Sequence, residues 1–497
     1  MFTRRFALAT SALAASVLAT PLQALAQGST KDSLTLAMTL EPPGLDPTAG
    51  AASSIAEVTL YNVYETLTKI NSDGSVSPLL AESWEVSPDL KTYTFRLRRG
   101  VTFHNGEPFN AEAVKFSFDR AGGDKSTNKD KRTFASLTTQ VVDEHTVVLL
   151  NKEIDPDLLF LLGQATAIIV EPKSAETNAA KPVGTGPYRL GAWSRGASVS
   201  LIAWDQWRDA AKVRIRRATF RFIPDPAAQV AALLAGDVDL FARVTPRSMA
   251  QFKGNPRFQV VVSGSRAKTI LAMNNAKKPL DDVRVRRAIS AAIDRKAVIQ
   301  GAADGLGVPI GSHYVPGAFG YVDTTGLNPY DPDKARSLLA EAGVKTPLTL
   351  TMTLPPAPYA RQGGEVIAAQ LAKVGITLKL QNVEWAQWLS GTYGNKNYDL
   401  TLISHVEPFD LGNFAKPDYY WGYKSEKFDR LYDEIKTATR PADRARLLGE
   451  AQRLLAEDSV HAFLYQPQWV TVAAKGLRGL WKDMPIFVND LSALSWS

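Results

Sequence analysis

Strand-like and helix-like segments alternate along almost all of this 497-residue chain, and that alternation limits the folds open to it. Strand-like runs recur at residues 34–40, 92–98, 145–150, 198–204, 217–223, 258–262, 348–354 and 377–383, and several of them alternate apolar and polar residues as half-buried strands do. Strands interleaved with helices are typical of α/β proteins rather than of sandwiches or bundles. Because no period of 20–50 residues repeats, a solenoid or a propeller is not expected.

Helix signals lie between these strands. Asp331-Pro332 is an N-cap followed by a proline at the first helical position, and Gly343 ends the helix that they begin. Asp282 can cap a helix over residues 284–300. Further helices are predicted over residues 365–373, 425–437 and 442–457. The chain therefore reads as α/β lobes, with no low-complexity linker to mark their boundaries.

The N-terminus has the features of an export signal. Arg4 and Arg5 precede an apolar run over residues 6–20, then Pro21 and the small-residue site Ala24-Leu25-Ala26. The run of 15 residues is shorter than the ~20 that cross a bilayer. The adjacent arginines resemble a twin-arginine signal, although an ordinary secretory signal also begins with positive charge. We expect a signal peptide over residues 1–26, cleaved after Ala26, and a soluble periplasmic protein without membrane insertion.

Composition excludes several kinds of site. The chain has no cysteine, which excludes disulfides, thiolate metal sites and cysteine nucleophiles. No dense basic tract concentrates the net charge of +7, so nucleic-acid binding is not expected. The five histidines are scattered, with no two at metal-ligand spacing: His104, His145, His313, His405 and His461. The sequence therefore predicts no preformed metal site and no cofactor.

Enzyme motifs are absent from the sequence. It contains no GxSxG, HExxH, phosphate-binding loop or dinucleotide fingerprint. The glycine-rich segment Gly184–Tyr188 has Pro187 and a strand after it, which suits a turn rather than a phosphate cradle. We predict a protein that is not an enzyme, and a secreted hydrolase stays the alternative from another class.

Several long blocks occur in a fixed order along the chain. They are LTLAMTLEPPGLDP (34–47), VYETL (63–67), PLLAESWEV (78–86), YTFRLRRGVTFHNG (93–106), VGTGPY (183–188), AALLAGDVD (231–239) and DVRVRRAI (282–289). Together they resemble the extracytoplasmic solute-binding proteins of family 5, the peptide-, nickel- and opine-type receptors of ABC importers. The resemblance covers nearly the whole chain after the signal peptide.

The resemblance implies a two-lobed α/β fold of the periplasmic-binding-protein kind (type II, cluster C-like) with an extra inserted domain. After the signal peptide, the first lobe would take three separate segments, residues 27–56, 183–265 and 478–497. The inserted domain would cover residues 57–182, and the opposing lobe residues 266–477. A monomer of this kind would close about a hinge on a small solute and deliver it to the permease subunits of the importer.

The resemblance also suggests an amine-binding residue. In dipeptide and oligopeptide receptors, an aspartate in a loop after a strand pairs with the α-ammonium group of the peptide. Alignment on Asn413-Phe414 puts that position on Glu407, one methylene longer. The longer side chain argues against a plain dipeptide but still suits a cationic group. Asp410 is the fallback carboxylate, and His405 is expected at the rim of the site.

The opposite wall is expected to recognise a carboxylate. Arg361 resembles the arginine that dipeptide receptors keep there, and a guanidinium can hold a carboxylate through two hydrogen bonds. Aromatic side chains at Trp385, Tyr419, Tyr420 and Trp421 are expected to line the cleft. The predicted solute is a short peptide, an opine-like conjugate or another compound with an amine and a carboxylate. A metal–chelate receptor of the nickel branch is the alternative within the family.

Overall fold

A computed structural model describes residues 31–50 and 52–497, so the predicted signal peptide and its cleavage site lie outside the described residues. The strands are β1 (Ser33–Met38), β2 (Thr68–Ile70), β3 (Val76–Pro78), β4 (Ala81–Val86), β5 (Thr92–Leu97), β6 (Leu137–Asp143), β7 (Thr146–Asn151), β8 (Tyr188–Ser194), β9 (Ser198–Ala203), β10 (Arg217–Phe222), β11 (Leu240–Val244), β12 (Phe258–Gly264), β13 (Lys268–Met273), β14 (Gly307–Pro309), β15 (Leu348–Leu354), β16 (Ile376–Asn382), β17 (Leu400–His405), β18 (His461–Ala474), β19 (Leu477–Arg478) and β20 (Ser495–Trp496).

Helices follow or precede most of these strands. They are α1 (Ser53–Thr59), α2 (Ala111–Gly122), α3 (Lys131–Ser136), α4 (Leu158–Leu161), α5 (Pro226–Ala235), α6 (Pro246–Met249), α7 (Val283–Ala291), α8 (Arg295–Ala303), α9 (Pro332–Glu341), α10 (Pro358–Ala372), α11 (Trp385–Gln387), α12 (Glu426–Thr437) and α13 (Pro441–Glu457). A π-helix spans Trp388–Gly394. Short 3-10 helices span Ala165–Ala167, Ala175–Thr177, Ala210–Lys212, Thr325–Leu327, Leu411–Ala415 and Leu491–Ala493.

One large mixed sheet runs through the molecule in the order β16-β15-β17-β13-β18-β11-β1-β10-β9-β8. Strand β18 joins its two sides. Its first part pairs with β13 and β14, and its second part pairs with β11 and β12. We call β1 and β8–β12 the first half-sheet, and β13–β17 the second half-sheet. Both continue into the same strand, so their relative position is set by β18 and by the segment between β12 and β13.

A separate antiparallel sheet, in the order β4-β5-β7-β6, lies within residues predicted to form an inserted domain. Its inward side chains pack with α2 and α3 around an aromatic core that includes Phe95, Phe103, Phe118 and Phe134. This sheet therefore has a hydrophobic core of its own, as a domain requires. The domain boundaries stated above stay a prediction.

The predicted helix caps are confirmed, but one predicted helix is two. The Asp282 side chain accepts from the Arg284 N–H at 2.8 Å, and the Asp331 side chain accepts from the Lys334 N–H at 2.9 Å. The helix predicted over residues 284–300 breaks between α7 and α8 because Asp294 caps the second helix, accepting from the N–H groups of Lys296 and Ala297. The apolar periodicity continues across this break, so the sequence pattern alone does not show that there are two helices.

Gly184 and Gly186 are required for a different reason than the predicted turn. Neither has a positive φ. A Cβ at Gly184 would lie 2.0 Å from the Val63 carbonyl oxygen, and one at Gly186 would lie 2.4 Å from that of Asn62. The two glycines thus let two backbone segments touch, which no side chain would permit.

Candidate functional site

Two cavities flank the segment that follows β17. The first has a volume of about 950 Å³ and lies between α5–α6 on one side and α8, α10 and the end of β17 on the other. We call it the aromatic cavity, after Tyr359, Trp385, Tyr465 and Trp469 in its wall. Of the described residues that line it, only Arg247 and Asp304 are charged, and they pair with each other at 3.2 Å. Its wall is therefore mainly apolar and neutral.

The second cavity has a volume of about 880 Å³ and a charged wall. We call it the polar cavity. The residues that define it include Lys129, Asp157, Arg266, Glu407, Asp410, Lys416, Arg444 and Trp469. Part of this wall comes from residues 129–164, close to the separate four-stranded sheet, and part from the loop after β17. Some charges are already paired, as Arg444 is with Asp157 at 2.6 Å.

The segment His405–Asp410, which we call the β17 loop, divides the two cavities. Val406 lines both, whereas Glu407 and Asp410 line the polar cavity alone. Trp469 of β18 also lines both. The two cavities are therefore neighbouring parts of one cleft that meet at Val406 and Trp469.

The base of the β17 loop is held by a buried polar network. The Lys268 ammonium, 2% exposed, pairs with Asp410 at 2.7 Å and also donates to the Glu407 carbonyl oxygen. The other Asp410 oxygen lies 2.9 Å from His313 Nε2. His405 lies beside Asp410 at 3.5 Å, and its Nε2 lies 2.9 Å from the Tyr420 hydroxyl. These contacts hold the β17 loop at its base, although Nδ1 of His313 has no hydrogen-bond partner among the described residues.

Burial and charge set the protonation of this network. Burial lowers the pKa of His313 to about 4, so its ring is neutral at neutral pH. Burial opposes ionisation of Asp410, but His313 and Lys268 outweigh it and hold the pKa of Asp410 well below its usual range. At neutral pH the network therefore holds a neutral imidazole at His313 and a carboxylate at Asp410.

Three of the five histidines, His313, His405 and His461, come together in space although they are far apart in sequence. Ligand atoms of His313, His405 and Asp410 lie within 4.8 Å of one another, and the His461 ring lies 6.5 Å from that of His313. Strand pairing brings these distant positions together, which sequence spacing does not reveal. Lys268 already balances Asp410, so a divalent ion would add two unmatched charges to a buried cluster. The residues fit a hydrogen-bond network better than a metal site.

The structure places the predicted anchors apart. The Glu407 side chain is 62% exposed and faces the polar cavity. Arg361 lies in α10, whose inward face carries Ala360, Gly364, Ile367 and Leu371 at helical spacing. The Arg361 side chain is 43% exposed, lies 3.4 Å from Glu384, and lines neither cavity. Glu407 and Arg361 are therefore not brought to one wall.

The predicted aromatic wall divides in the same way. Trp385 is exposed and lines the aromatic cavity. Tyr420 and Trp421 are buried in the core around Phe414, and Tyr419 is packed against that core. None of these three lines either cavity. Their rings support the β17 loop from behind, as the contact between Tyr420 and His405 shows.

Several cavity residues were missed from sequence. Tyr359 lines the aromatic cavity, and its hydroxyl accepts from the Ser404 N–H at 3.0 Å. Gln362 lines the same cavity, one position after Arg361. Trp469 is in the middle of a strand, and Arg266 lies between two strands. Helical periodicity around Arg361 could have indicated Gln362, but nothing in the sequence marks the other three.

No helix among residues 31–50 and 52–497 has the length and apolar character needed to span a bilayer. Residues 75–426 match the family model described as "Bacterial extracellular solute-binding proteins, family 5 Middle".

Similar proteins match over most of their length. "Di/tripeptide-binding protein 1" of Pseudomonas aeruginosa (strain UCBPP-PA14) is 27% identical, over 94% of this chain and 96% of that protein. "Heme-binding protein A" of Haemophilus influenzae is 28% identical, over 91% and 88%. The structure of the binding protein AgaA with agropinic acid, from A. tumefaciens R10, has a TM-score of 0.77 at 26% identity, covering 94% of this chain and 99% of that one. This likeness confirms the predicted fold class.

Proposed function

This chain belongs to family 5 of the bacterial extracellular solute-binding proteins, and from that premise we propose that it is the periplasmic receptor of an ABC importer for a short peptide or opine-like solute. In this proposal the monomer captures the solute between its two lobes and passes it to the permease subunits. It is a receptor and not an enzyme. Its lobes and inserted domain follow the boundaries predicted from sequence, except that the second part of β18 moves with the first lobe, since it pairs with β11 and β12.

The observation that carries the proposal is the cleft itself. Cavities of about 950 and 880 Å³ lie side by side and meet at Val406 and Trp469. Each has a volume suited to a small organic solute. One has an apolar and aromatic wall, and the other is charged. Such a pair suits a solute that carries both an apolar part and charged groups.

Contacts across the cleft support closure on a solute. Arg247 pairs with Asp304 between α6 and the end of α8 at the mouth of the aromatic cavity. Across the polar cavity, Arg444 pairs with Asp157 and the Phe409 ring meets that of Phe160 at 4.8 Å. Since few backbone segments connect the two half-sheets, we infer a hinge at β18 and at residues 265–267.

Within this cleft we assign Glu407 to an amine or guanidinium group and Trp385 to an apolar part of the solute. His405, Asp410, Tyr419, Tyr420 and Trp421 keep a supporting role under the β17 loop rather than direct contact. Arg361 is at most a peripheral contact, because its guanidinium already faces Glu384. The names of the relatives, which include di/tripeptide-binding protein, and the agropinic acid bound to AgaA support this solute class.

The test is native mass spectrometry of the protein purified from its own periplasm, followed by denaturing release of anything bound. Stoichiometric release of one amine- and carboxylate-bearing compound is expected. A heme or metal chelate released instead would contradict the solute class. If the purified protein releases no bound compound, its binding of di- and tripeptides is screened by thermal shift. Steady hydrolysis of that panel, lost with a single nucleophile, would overturn the receptor proposal.

A further inference from the structure

Arg266 occupies a distinctive place in the cleft. It lies between β12 and β13, in the short segment that links the two half-sheets, and its side chain lines the polar cavity. It is half-buried. Two residues later, Lys268 holds the base of the β17 loop. Arg266 therefore lies where the two half-sheets join, beside the polar cavity.

The Arg266 guanidinium lacks a carboxylate partner. Its Nη2 donates to the backbone oxygen of Asp73 at 3.2 Å, and no acidic side chain of the described residues lies within ion-pair distance. Burial lowers the pKa of Arg266, whereas nearby Asp483 and Asp73 raise it only in part. A half-buried guanidinium is stabilised by an anion that accepts two of its hydrogen bonds. The remaining donors of Arg266 are thus suited to an incoming anion.

Two glycines make room for this guanidinium. A Cβ at Gly74 would lie 2.6 Å from Arg266 Nη2, and one at Gly317 would lie 3.0 Å from Nη1. Both glycines also have a positive φ, +85° and +84°. Side chains at either position would push the guanidinium away from its present place. The two glycines therefore leave space for the Arg266 guanidinium beside the backbone of Asp73.

A carboxylate faces the same cavity from the β17 loop. Glu407 lines it with an exposed side chain, and its backbone is held by Lys268. Some other charges on this wall are paired, such as Lys436 with Asp433 at 2.6 Å and Arg444 with Asp157 at 2.6 Å. The polar cavity thus offers a guanidinium and a carboxylate from two different segments.

We propose that Arg266, rather than Arg361, binds the carboxylate of a zwitterionic solute whose amine is bound by Glu407. The inference rests on the proposed function and names the ligand chemistry of the polar cavity. A solute held in this way spans the cavity from the inter-sheet segment to the β17 loop. Its apolar part extends past Val406 toward Trp385.

The test compares peptides that differ only in their C-terminal charge. Binding of a panel of Ala-Xaa-Ala tripeptides and of the matching C-terminal amides is measured by calorimetry, and the tightest pair is carried forward. Wild-type protein should prefer the free acid by about tenfold. Arg266→Gln should abolish that preference by weakening only the free acid, and Arg266→Lys should restore part of it.

Two control variants make the result specific. Lys424→Gln removes an exposed cation that lies outside both cavities, and Arg361→Gln removes the arginine predicted from sequence. Both should keep the preference for the free acid. The inference is wrong if Arg266→Gln keeps that preference, or if Arg361→Gln abolishes it, with unchanged melting temperatures. If wild-type protein binds no peptide of the panel, both the proposed peptide-binding function and the proposed zwitterion site are wrong.

Discussion

The two faces of the β17 loop differ in burial and in charge pairing. Its inner face is a buried network of Lys268, Asp410, His313 and His405, in which Lys268 and Asp410 form an ion pair. Its outer face presents Glu407, whose side chain is 62% exposed and lies 3.8 Å from His405. One face therefore holds the loop conformation, and the other offers an exposed carboxylate in the same six-residue segment.

The largest expected effect comes from breaking the inner face. Lys268→Met leaves the buried Asp410 carboxylate without its cation and should lower the free energy of unfolding by about 3–5 kcal/mol. Urea denaturation measures it. The matched control is Lys436→Met, which removes a more exposed ion pair with Asp433 and should cost less than about 1 kcal/mol. Equal losses in the two variants would contradict a stabilising role of the network.

Acid should destabilise the folded protein through the same buried network. Folded His313, with a pKa of about 4 instead of 6.5, stays neutral while the unfolded chain takes up a proton. The free energy of unfolding should therefore fall as the pH drops from 6.5 to 4, by up to about 3 kcal/mol from this residue. Asp410 adds little in this window, because it is ionised in the folded protein throughout and takes up a proton in the unfolded chain only near pH 3.8.

His313→Gln is the variant that isolates this effect. Without the imidazole, the urea-derived free energy of unfolding should depend less steeply on pH between 6.5 and 4, although its value at pH 7 is lower. Parallel pH profiles for the two proteins would show that other groups cause the acid sensitivity.

On the outer face, the effect should appear in binding and not in stability. Glu407→Gln removes the charge proposed to bind the amine and should weaken binding of the solute by at least ~1.5 kcal/mol. Its melting temperature should stay unchanged, because the side chain is mostly exposed. Calorimetry with the best tripeptide measures the affinity. An unchanged Kd would remove Glu407 from the site.

The smallest expected effect concerns the neighbouring aromatic cavity. Trp385→Ala should weaken the binding of tripeptides with a central phenylalanine by about 1 kcal/mol. The affinity for tripeptides with a central alanine should stay nearly unchanged. Leu389→Ala is the control, since Leu389 is also exposed but lies outside the aromatic cavity. An equal loss of affinity for both peptides would show that Trp385 does not contact the central side chain of the peptide.

Sequence patterns predicted the α/β class, the capped helices and the family, because these depend on local periodicity and on long ordered blocks. The glycines at 184 and 186 were recognised as special, but their reason is a close approach of two segments. The break between α7 and α8 was missed because both helices bury the same kind of residue. The loop with Glu407 was found through alignment, whereas Arg266 carries no motif.

By itself, the sequence determined what is local along the chain: which segments form strands and where helices begin. The position of Glu407 in a loop after a strand came from the family resemblance. Only the tertiary structure decided which side chains meet. Lys268 and Asp410 are 142 positions apart, and His313 and Asp410 are 97 apart. Their contact arises from β13 pairing with both β17 and β18. Pairing between distant strands is set by burial of the whole sheet, which no local pattern encodes.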